Sequence, residues 1–459
     1  MSLERLRALL YLTLLALIVP LLAACGGDVA TVAPTGLPTT AIATTVPTTG
    51  GEVATTGGEV ATSAPQPNPT PDAQPTAAPT TSTDPSLEPG TPMRFKNTQY
   101  GIVNHLYYTD RDRVLTLNGI AGFTWVRQQV VWKDIEDPLK PGSYAWSELD
   151  NIIPDVTKSG QKLLVSVVRS PSSYNPTNGL PSDPKALGNF VEAMAKRYGD
   201  QITAYEIWNE PNLAIENGGR VTPEDAGKYV EILAECYKRI KAVSPGAFVV
   251  AAPPSSSGVN DPTIAVSDEN YYRAMYEYKG GMIKNFFDAQ GVHPGGSANP
   301  PDTMWPDNPS VIDGCVYTSP TTCWNTDPTF YFRHVENVKR FMDEEGVGDH
   351  QIWITEYGWA TNNDTRGYEF GKYVSFDQQA QYIVGAMKLA QEKYRDPEGK
   401  PWIGAMFLWN MNYAVLTASE GNPNNEQGSF GILNADYSPR QAFIAIQGYL
   451  SEIKGKNGS

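Results

Sequence analysis

Tyr205-Glu206-Ile207-Trp208-Asn209-Glu210-Pro211-Asn212 and Ile352-Trp353-Ile354-Thr355-Glu356-Tyr357-Gly358-Trp359 decide how this chain is read. Each is an apolar, aromatic-rich run of strand length that reaches a carboxylate and then breaks into a turn. Glu210 and Glu356 lie about 146 residues apart. That interval holds two strand–helix units, so both glutamates can stand on one rim of a barrel.

Working outward from these runs, the chain from about residue 92 to residue 453 alternates strand and helix patterns. Strands are predicted at Gly101–Tyr107, Thr124–Trp132, Lys162–Val168, Ala204–Trp208, Phe248–Ala252, Phe287–Val292, Gln351–Glu356 and Ile403–Trp409. Between them lie helical faces with i, i+3, i+4, i+7 spacing. Leu187, Phe190, Val191, Met194 and Tyr198 make one; Tyr331, Val335, Val338 and Met342 another; Ala380, Ile383, Val384, Met387 and Ala390 a third. Ser438-Pro439 opens a last helix through Leu450. Eight such units predict an α/β fold, a (β/α)8 TIM barrel. The alternative, a doubly wound open sheet, carries a Gly-rich phosphate turn after its first strand, which is missing here.

The N-terminal part is built differently. Arg5 and Arg7 precede an apolar run, Ala8 to Leu22, too short for a comfortable membrane span. From Gly26 to about Pro92 the chain is Thr, Pro, Ala and Gly, with Thr-Thr-Gly-Gly-Glu-Val-Ala repeated from Thr48 and from Thr55. Such a segment buries too little apolar surface to offset its ordering entropy and is expected to be disordered. As a tether it would span roughly 50 Å. The expected organisation is therefore a signal peptide (1–24), a disordered linker (25–92) and a barrel (93–459).

Charge and composition narrow the function. Lys and Arg number 35 against 50 Asp and Glu, a net charge of −15. That excludes the clustered basic footprint of a nucleic-acid-binding protein. The aromatic content is high, with ten Trp and 24 Tyr; most such rings are core, but a sugar-binding cleft also uses them as apolar platforms with polar tips. The four cysteines are Cys25, Cys236, Cys315 and Cys323. Cys315 and Cys323 share one loop and are expected to form a disulfide in an exported protein; two free thiols are the alternative. Cys236 falls on a helical face with Tyr229, Ile232, Leu233, Ile240 and Val243, and reads as an inert buried thiol. No cysteine or histidine cluster points to a metal, and no cofactor is expected.

Two carboxylates at the ends of two strands are what retaining glycoside hydrolysis requires, one protonating the leaving oxygen and the other attacking the sugar. Trp208-Asn209-Glu210-Pro211 and Thr355-Glu356-Tyr357-Gly358-Trp359 together resemble the clan A glycoside hydrolases, families 39 and 5 in particular. Arg127, the Asp288 to His293-Pro294 run, Phe407-Leu408-Trp409 and Phe430-Gly431-Ile432-Leu433 extend the resemblance along the chain. It implies Glu210 as acid/base and Glu356 as nucleophile. It also implies substrate contacts from Arg127, Asn209, His293, Trp409 and Trp359. Arg127 is expected to hold Glu356 ionised, Asn209 to bind the sugar 2-hydroxyl, and Trp409 and Trp359 to be platforms. Glu206 has the parity of Glu210 and is expected deeper in the barrel as a structural partner. Strict alternation would send Asn209 and Glu210 to opposite faces, so a bulge or bend is required. The resembled families place a Tyr two residues beyond the strand-six His, against the nucleophile. Here Pro294-Gly295-Gly296 follows His293, and either Tyr317 takes that place or the nucleophile is tuned otherwise.

Leu22-Ala23-Ala24-Cys25 resembles a bacterial lipobox, which implies cleavage before Cys25 and a lipid on its thiol. An ordinary secretory signal or an uncleaved anchor is the alternative. The expected protein is a monomeric glycosidase of β-linked poly- or oligosaccharides, lipid-anchored to a membrane outside the cytoplasm and independent of nucleic acid. A catalytically weak carbohydrate-binding or wall-remodelling lipoprotein on the same barrel is the alternative. A two-lobed solute-binding lipoprotein would explain the lipobox but not the eight-unit pattern.

Overall fold

A computed structural model describes residues 92–306, 324, 327–363, 365 and 367–457. The signal and linker segments, with Cys25, and the loop pair Cys315 and Cys323 lie outside the described residues.

Eight parallel strands close into a barrel in sequence order. They are β1 (Gln99–Val103), β2 (Trp125–Val131), β3 (Lys162–Val168), β4 (Ala204–Ile207), β5 (Phe248–Ala251), β6 (Ala289–Val292), β7 (Gln351–Tyr357) and β8 (Ile403–Leu408). Eight main helices alternate with them: α1 (Arg111–Ala121), α2 (Leu149–Lys158), α3 (Pro184–Tyr198), α4 (Asp225–Val243), α5 (Asp268–Glu277), α6 (His334–Glu344), α7 (Phe376–Glu392) and α8 (Gln441–Asn457). In several of these helices the sequence pattern sets both the buried face and the start. In α3, Leu187, Phe190, Val191, Met194 and Tyr198 are buried on one face. Asp183 caps its first turn by accepting from Lys185 N–H, with Pro184 at the first position. In α7, Ser375 and Gln378 form a reciprocal capping box. Cys236 is buried in α4, where burial pushes its thiol up.

Some element ends differ from expectation. β1 lies two residues earlier than the apolar run suggested, because Gln99 and Tyr100 already pair with Ala405 and Met406. α6 excludes Tyr331, which is extended after a short turn over Pro328–Phe330 capped by Asp327. α8 begins at Gln441, since Pro439 is still paired with Leu433 across a turn, and it runs past Leu450 to Asn457.

The barrel interior is layered. At the N-terminal end it is aromatic: Trp125, Phe248, Trp353 and Phe407 point inward, and Phe95 closes the opening over them. The Phe95 ring stacks on Phe248 at 4.6 Å and on Trp353 at 5.5 Å. Its backbone is clamped to β7: Phe95 N–H donates to Gln351 Oε1 at 2.7 Å and Gln351 Nε2 donates to Phe95 O at 2.9 Å. Gly101 makes room for these rings, since a Cβ there would lie 2.6 Å from Phe407 and 2.8 Å from Trp125 Cβ. The chain thus enters at the barrel's N-terminal end. Above the aromatic layer the interior turns polar, with Arg127, Ser166 and Glu206, all buried. Most barrels of this type fill that level with branched apolar residues; here it is the base of a site.

Candidate active site

The polar layer is built on alternating inward positions. Trp125 and Arg127 face in from β2, Leu164 and Ser166 from β3, Ala204 and Glu206 from β4, one step apart along each strand. Arg127 takes the centre. Its Nε donates to Glu206 Oε2 at 2.6 Å and its Nη1 to Glu356 Oε1 at 2.6 Å. Its Nη2 donates to Asn209 Oδ1 at 3.0 Å and Ser166 Oγ at 3.3 Å. Burial disfavours the guanidinium charge, but Glu206 and Glu356 outweigh it and raise the Arg127 pKa above its ordinary value. The planar fork suits this task, because one cation meets three strands at fixed angles.

Both catalytic candidates stand where their strands break alternation. On β4 the extended run stops at Ile207, and Trp208 and Glu210 adopt positive φ of 78° and 44°. Neither is glycine, so this is a strained backbone held by its surroundings. Glu210 N–H donates to Pro253 O at 3.0 Å, and the Trp208 indole donates to Glu216 O at 3.2 Å. The bend sends Asn209 to Arg127 and Glu210 to His293, so neighbours serve one cleft. On β7 the break is a bulge: Ile354 to Tyr357 is three steps against two from Met406 to Leu408 on β8. The extra residue lets both Thr355 and Glu356 face the site.

His293, at the end of β6, ties the two strand ends together. Its Nδ1 lies 3.1 Å from Glu210 Oε1, and its Nε2 lies 3.1 Å from Thr355 Oγ1 and 3.9 Å from Glu356 Oε1. Burial, reinforced by the nearby Arg127 charge, lowers its pKa well below the ordinary histidine value. The ring is therefore neutral and carries one proton. With that proton on Nδ1 it donates to an ionised Glu210; with it on Nε2 it accepts from a protonated Glu210 while Thr355 Oγ receives the N–H. The same contact serves both protonation states of Glu210.

Around this centre the cleft is lined by Ser255, Ser256, Gly295, Gly296, Phe330, Tyr368, Phe370, Trp409 and Phe430. Trp409 follows β8 and donates its indole N–H to Gln427 Oε1 at 2.9 Å, which locks the ring against the opening. Trp359, expected as a second platform, is instead buried beneath the cleft. Its indole N–H donates to Asn299 O at 2.9 Å, and a Cβ on Gly296 would sit 2.4 Å from its ring. It props up the Pro294–Gly296 segment rather than meeting a ligand, because the residues after Gly358 turn back under that segment. Tyr317 lies outside the described residues. Among the described residues no three His, Cys, Asp or Glu side chains converge to hold a metal ion.

Ser166, Thr355 and the aromatic wall of Phe330, Tyr368, Phe370 and Phe430 were missed in the sequence. Ser166 and Thr355 carried a usable signal, being polar residues inside otherwise apolar strands. The aromatic wall comes from three separate loops; Phe430 falls in a run that carries the family resemblance, but nothing in the sequence places it or the other three rings at the cleft.

The barrel is similar to several solved structures. One is a family 39 glycoside hydrolase from Bacteroides cellulosilyticus WH2, with a TM-score of 0.52 and 18% identity over 78% of this chain and 64% of that one. Another is a glucosidase from Croceicoccus marinus, with a TM-score of 0.53 and 15% identity over 78% of this chain and 68% of that one. A third is an exo-β-1,4-mannosidase from an Opitutaceae bacterium, strain TAV5, with a TM-score of 0.51 and 13% identity over 81% of this chain and 63% of that one. The chain thus spans slightly under two thirds of the first and third of these structures. Neither a protein-family model nor a curated sequence matches it. What these likenesses show is the fold, a closed eight-stranded parallel barrel with helices between its strands.

Proposed function

We infer that this chain is a retaining glycoside hydrolase acting on β-linked oligo- or polysaccharides, with Glu356 as nucleophile and Glu210 as acid/base. The observation that carries this reading is the unequal setting of the two strand-end glutamates around one imidazole. Glu356 accepts from a fully buried guanidinium, a setting that favours a carboxylate anion. Glu210 sits on the neutral His293, whose contact tolerates both its protonated and ionised forms.

In the first step a Glu356 oxygen attacks the anomeric carbon. The glycosidic C–O bond breaks, and Glu210 gives its proton to the departing oxygen. In the second step Glu210 takes a proton from water, the water oxygen attacks the same carbon, and Glu356 leaves. Asn209 Oδ1 accepts from Arg127, so its amide nitrogen is the donor end we assign to the sugar 2-hydroxyl. Trp409 is the platform for the reacting sugar. Mass spectrometry after exposure to an activated 2-fluoroglycoside tests the reading. It expects the adduct on the peptide carrying Glu356; an adduct on Glu210, or turnover with inversion, overturns it.

We further place the protein in the cell envelope, lipid-anchored through Cys25 and a linker, as a monomer. Release of the protein from membranes by Cys25→Ser tests the anchor, and light scattering tests the monomer.

A further inference from the structure

The aromatic surface does not stop at the catalytic centre. The Trp409 ring lies 4.8 Å from Tyr413 at an angle of 44°. Tyr413 lies 6.0 Å from the His105 ring, His105 lies 6.1 Å from Tyr107, and Tyr107 lies 6.4 Å from Tyr108. These five rings follow the ends of β8 and β1, neighbouring strands of the barrel, and each neighbours the next, starting from Trp409 in the cleft wall. Asn412 clamps the two loops together: its Oδ1 accepts from His105 N–H at 2.9 Å and its Nδ2 donates to His105 O at 2.8 Å.

The row ends on an exposed ring. Tyr108 is 85% exposed, and its φ is 51°. A tyrosine in the left-handed region costs free energy, and exposure returns nothing for it in packing. The rest of the C-terminal face repeats the pattern. Of seven large apolar side chains exposed among the described residues, five stand in loops that follow strands: Tyr108, Leu139, Ile215, Trp305 and Tyr373. Ile120 and Ile444 lie on the main helices α1 and α8.

We propose that Trp409, Tyr413, His105, Tyr107 and Tyr108 form a track for successive sugar units of a β-glycan chain, so that the substrate is a polymer or long oligosaccharide rather than a small glycoside. This rests on the glycosidase reading above and deepens it. Pyranose rings present apolar C–H faces to aromatic planes and hydroxyl edges to water, which suits rings that grade from buried Trp409 through partly buried Tyr413, His105 and Tyr107 to exposed Tyr108. Burial lowers the His105 pKa to about 4, so its ring is an uncharged member of the row at neutral pH. A folded protein partner needs a broader, continuous apolar patch than a single file of rings.

The test uses the full chain carrying Glu356→Gln, run in native gels containing barley β-glucan, glucomannan or xylan. Retardation is expected in at least one polymer. Adding Tyr108→Ala or Tyr413→Ala is expected to weaken the apparent affinity about three- to tenfold, the scale of one lost aromatic contact. Tyr108→Phe keeps the ring and is expected to keep the affinity. With Glu356 intact, the same two alanine variants should lower kcat/KM on the polymer more than on an aryl β-glycoside. Affinity unchanged in Tyr108→Ala, equal losses on polymer and aryl glycoside, or retardation by none of the three polymers overturns the track. Ring-dependent retardation without any turnover by the unmutated chain leaves the track standing and removes the catalytic reading instead.

Discussion

Arg127 and Glu356 are 229 residues apart in the chain and joined by a 2.6 Å hydrogen bond across the barrel. The same guanidinium donates to Glu206 at 2.6 Å. One buried cation therefore faces two buried carboxylates, and removing it leaves both without their counter-charge. Arg127→Met is expected to cost about 3–5 kcal/mol of stability, the usual result of breaking a buried ion pair from one side. Arg127→Lys keeps the charge but not the fork, so it should lose less stability and still lose most of its activity. Urea unfolding curves and initial rates on an aryl β-glycoside measure the two effects. Wild-type stability in Arg127→Met would show that the network does not hold the fold.

The proposed roles of the two glutamates separate by leaving group. Glu356→Gln is expected to abolish turnover of every substrate. Glu210→Ala is expected to slow natural glycosides by about 10²–10⁴, the contribution of general acid–base catalysis, while sparing the first step on activated aryl glycosides. Added azide should then restore the second step and yield a β-glycosyl azide. Equal losses on activated and natural substrates would reverse or dissolve the assignment.

The Phe95 plug makes the barrel's first residues structural. Its ring is partly buried on Trp125, Phe248 and Trp353. Phe95→Ala is expected to cost about 2 kcal/mol, somewhat below the loss for a fully buried phenylalanine. A chain beginning at Glu88 keeps this plug and is expected to match the full chain in melting temperature and in kcat on small substrates. A chain beginning at Lys96 loses it and should melt a few degrees lower, roughly 1–2 °C per kcal/mol for a barrel of this size. A lower kcat in the Glu88 chain would mean that the preceding segment contributes to the site.

His334 gives a pH signature. Its Nε2 is 2.6 Å from Asp268 Oδ2, and the pair is buried between α5 and α6. Burial lowers the imidazole pKa, but Asp268 outweighs it, with smaller help from Asp327 and Glu269, and the net direction is up. A raised folded-state pKa contributes stability that is complete below the unfolded value near 6.5 and is lost as pH rises through the folded value. Asp268→Asn should therefore destabilise the protein more at pH 6 than at pH 9. Unfolding at the two pH values checks this, and a gap that widens at pH 9 contradicts it.

Glu210 and Glu356 were legible in the sequence because each sits in a strand-length apolar run that ends in a turn. The eight-unit barrel was legible because period-2 and period-3.6 patterning repeats between those runs. Glu206 could be placed below Glu210 by parity alone. Element ends were less legible, since pairing partners and turns set them: β1 follows its register with β8, and α8 waits for the turn that Pro439 closes.

What only the tertiary structure decided is which groups meet. Alternation along β4 puts Asn209 and Glu210 on opposite faces, and only the positive φ at Trp208 and Glu210 turns both toward the cleft. The extra residue in β7 does the same for Thr355 and Glu356. Trp359 looked like a platform because aromatic type says nothing about depth, and the chain path after Gly358 buries it. His293 carried no signal for its partners. Its link between the two glutamates exists because barrel closure brings the ends of β4, β6 and β7 around one imidazole. Local composition determined the elements and the candidate charges, whereas the distances that give those charges different chemistry follow from strand register and bends.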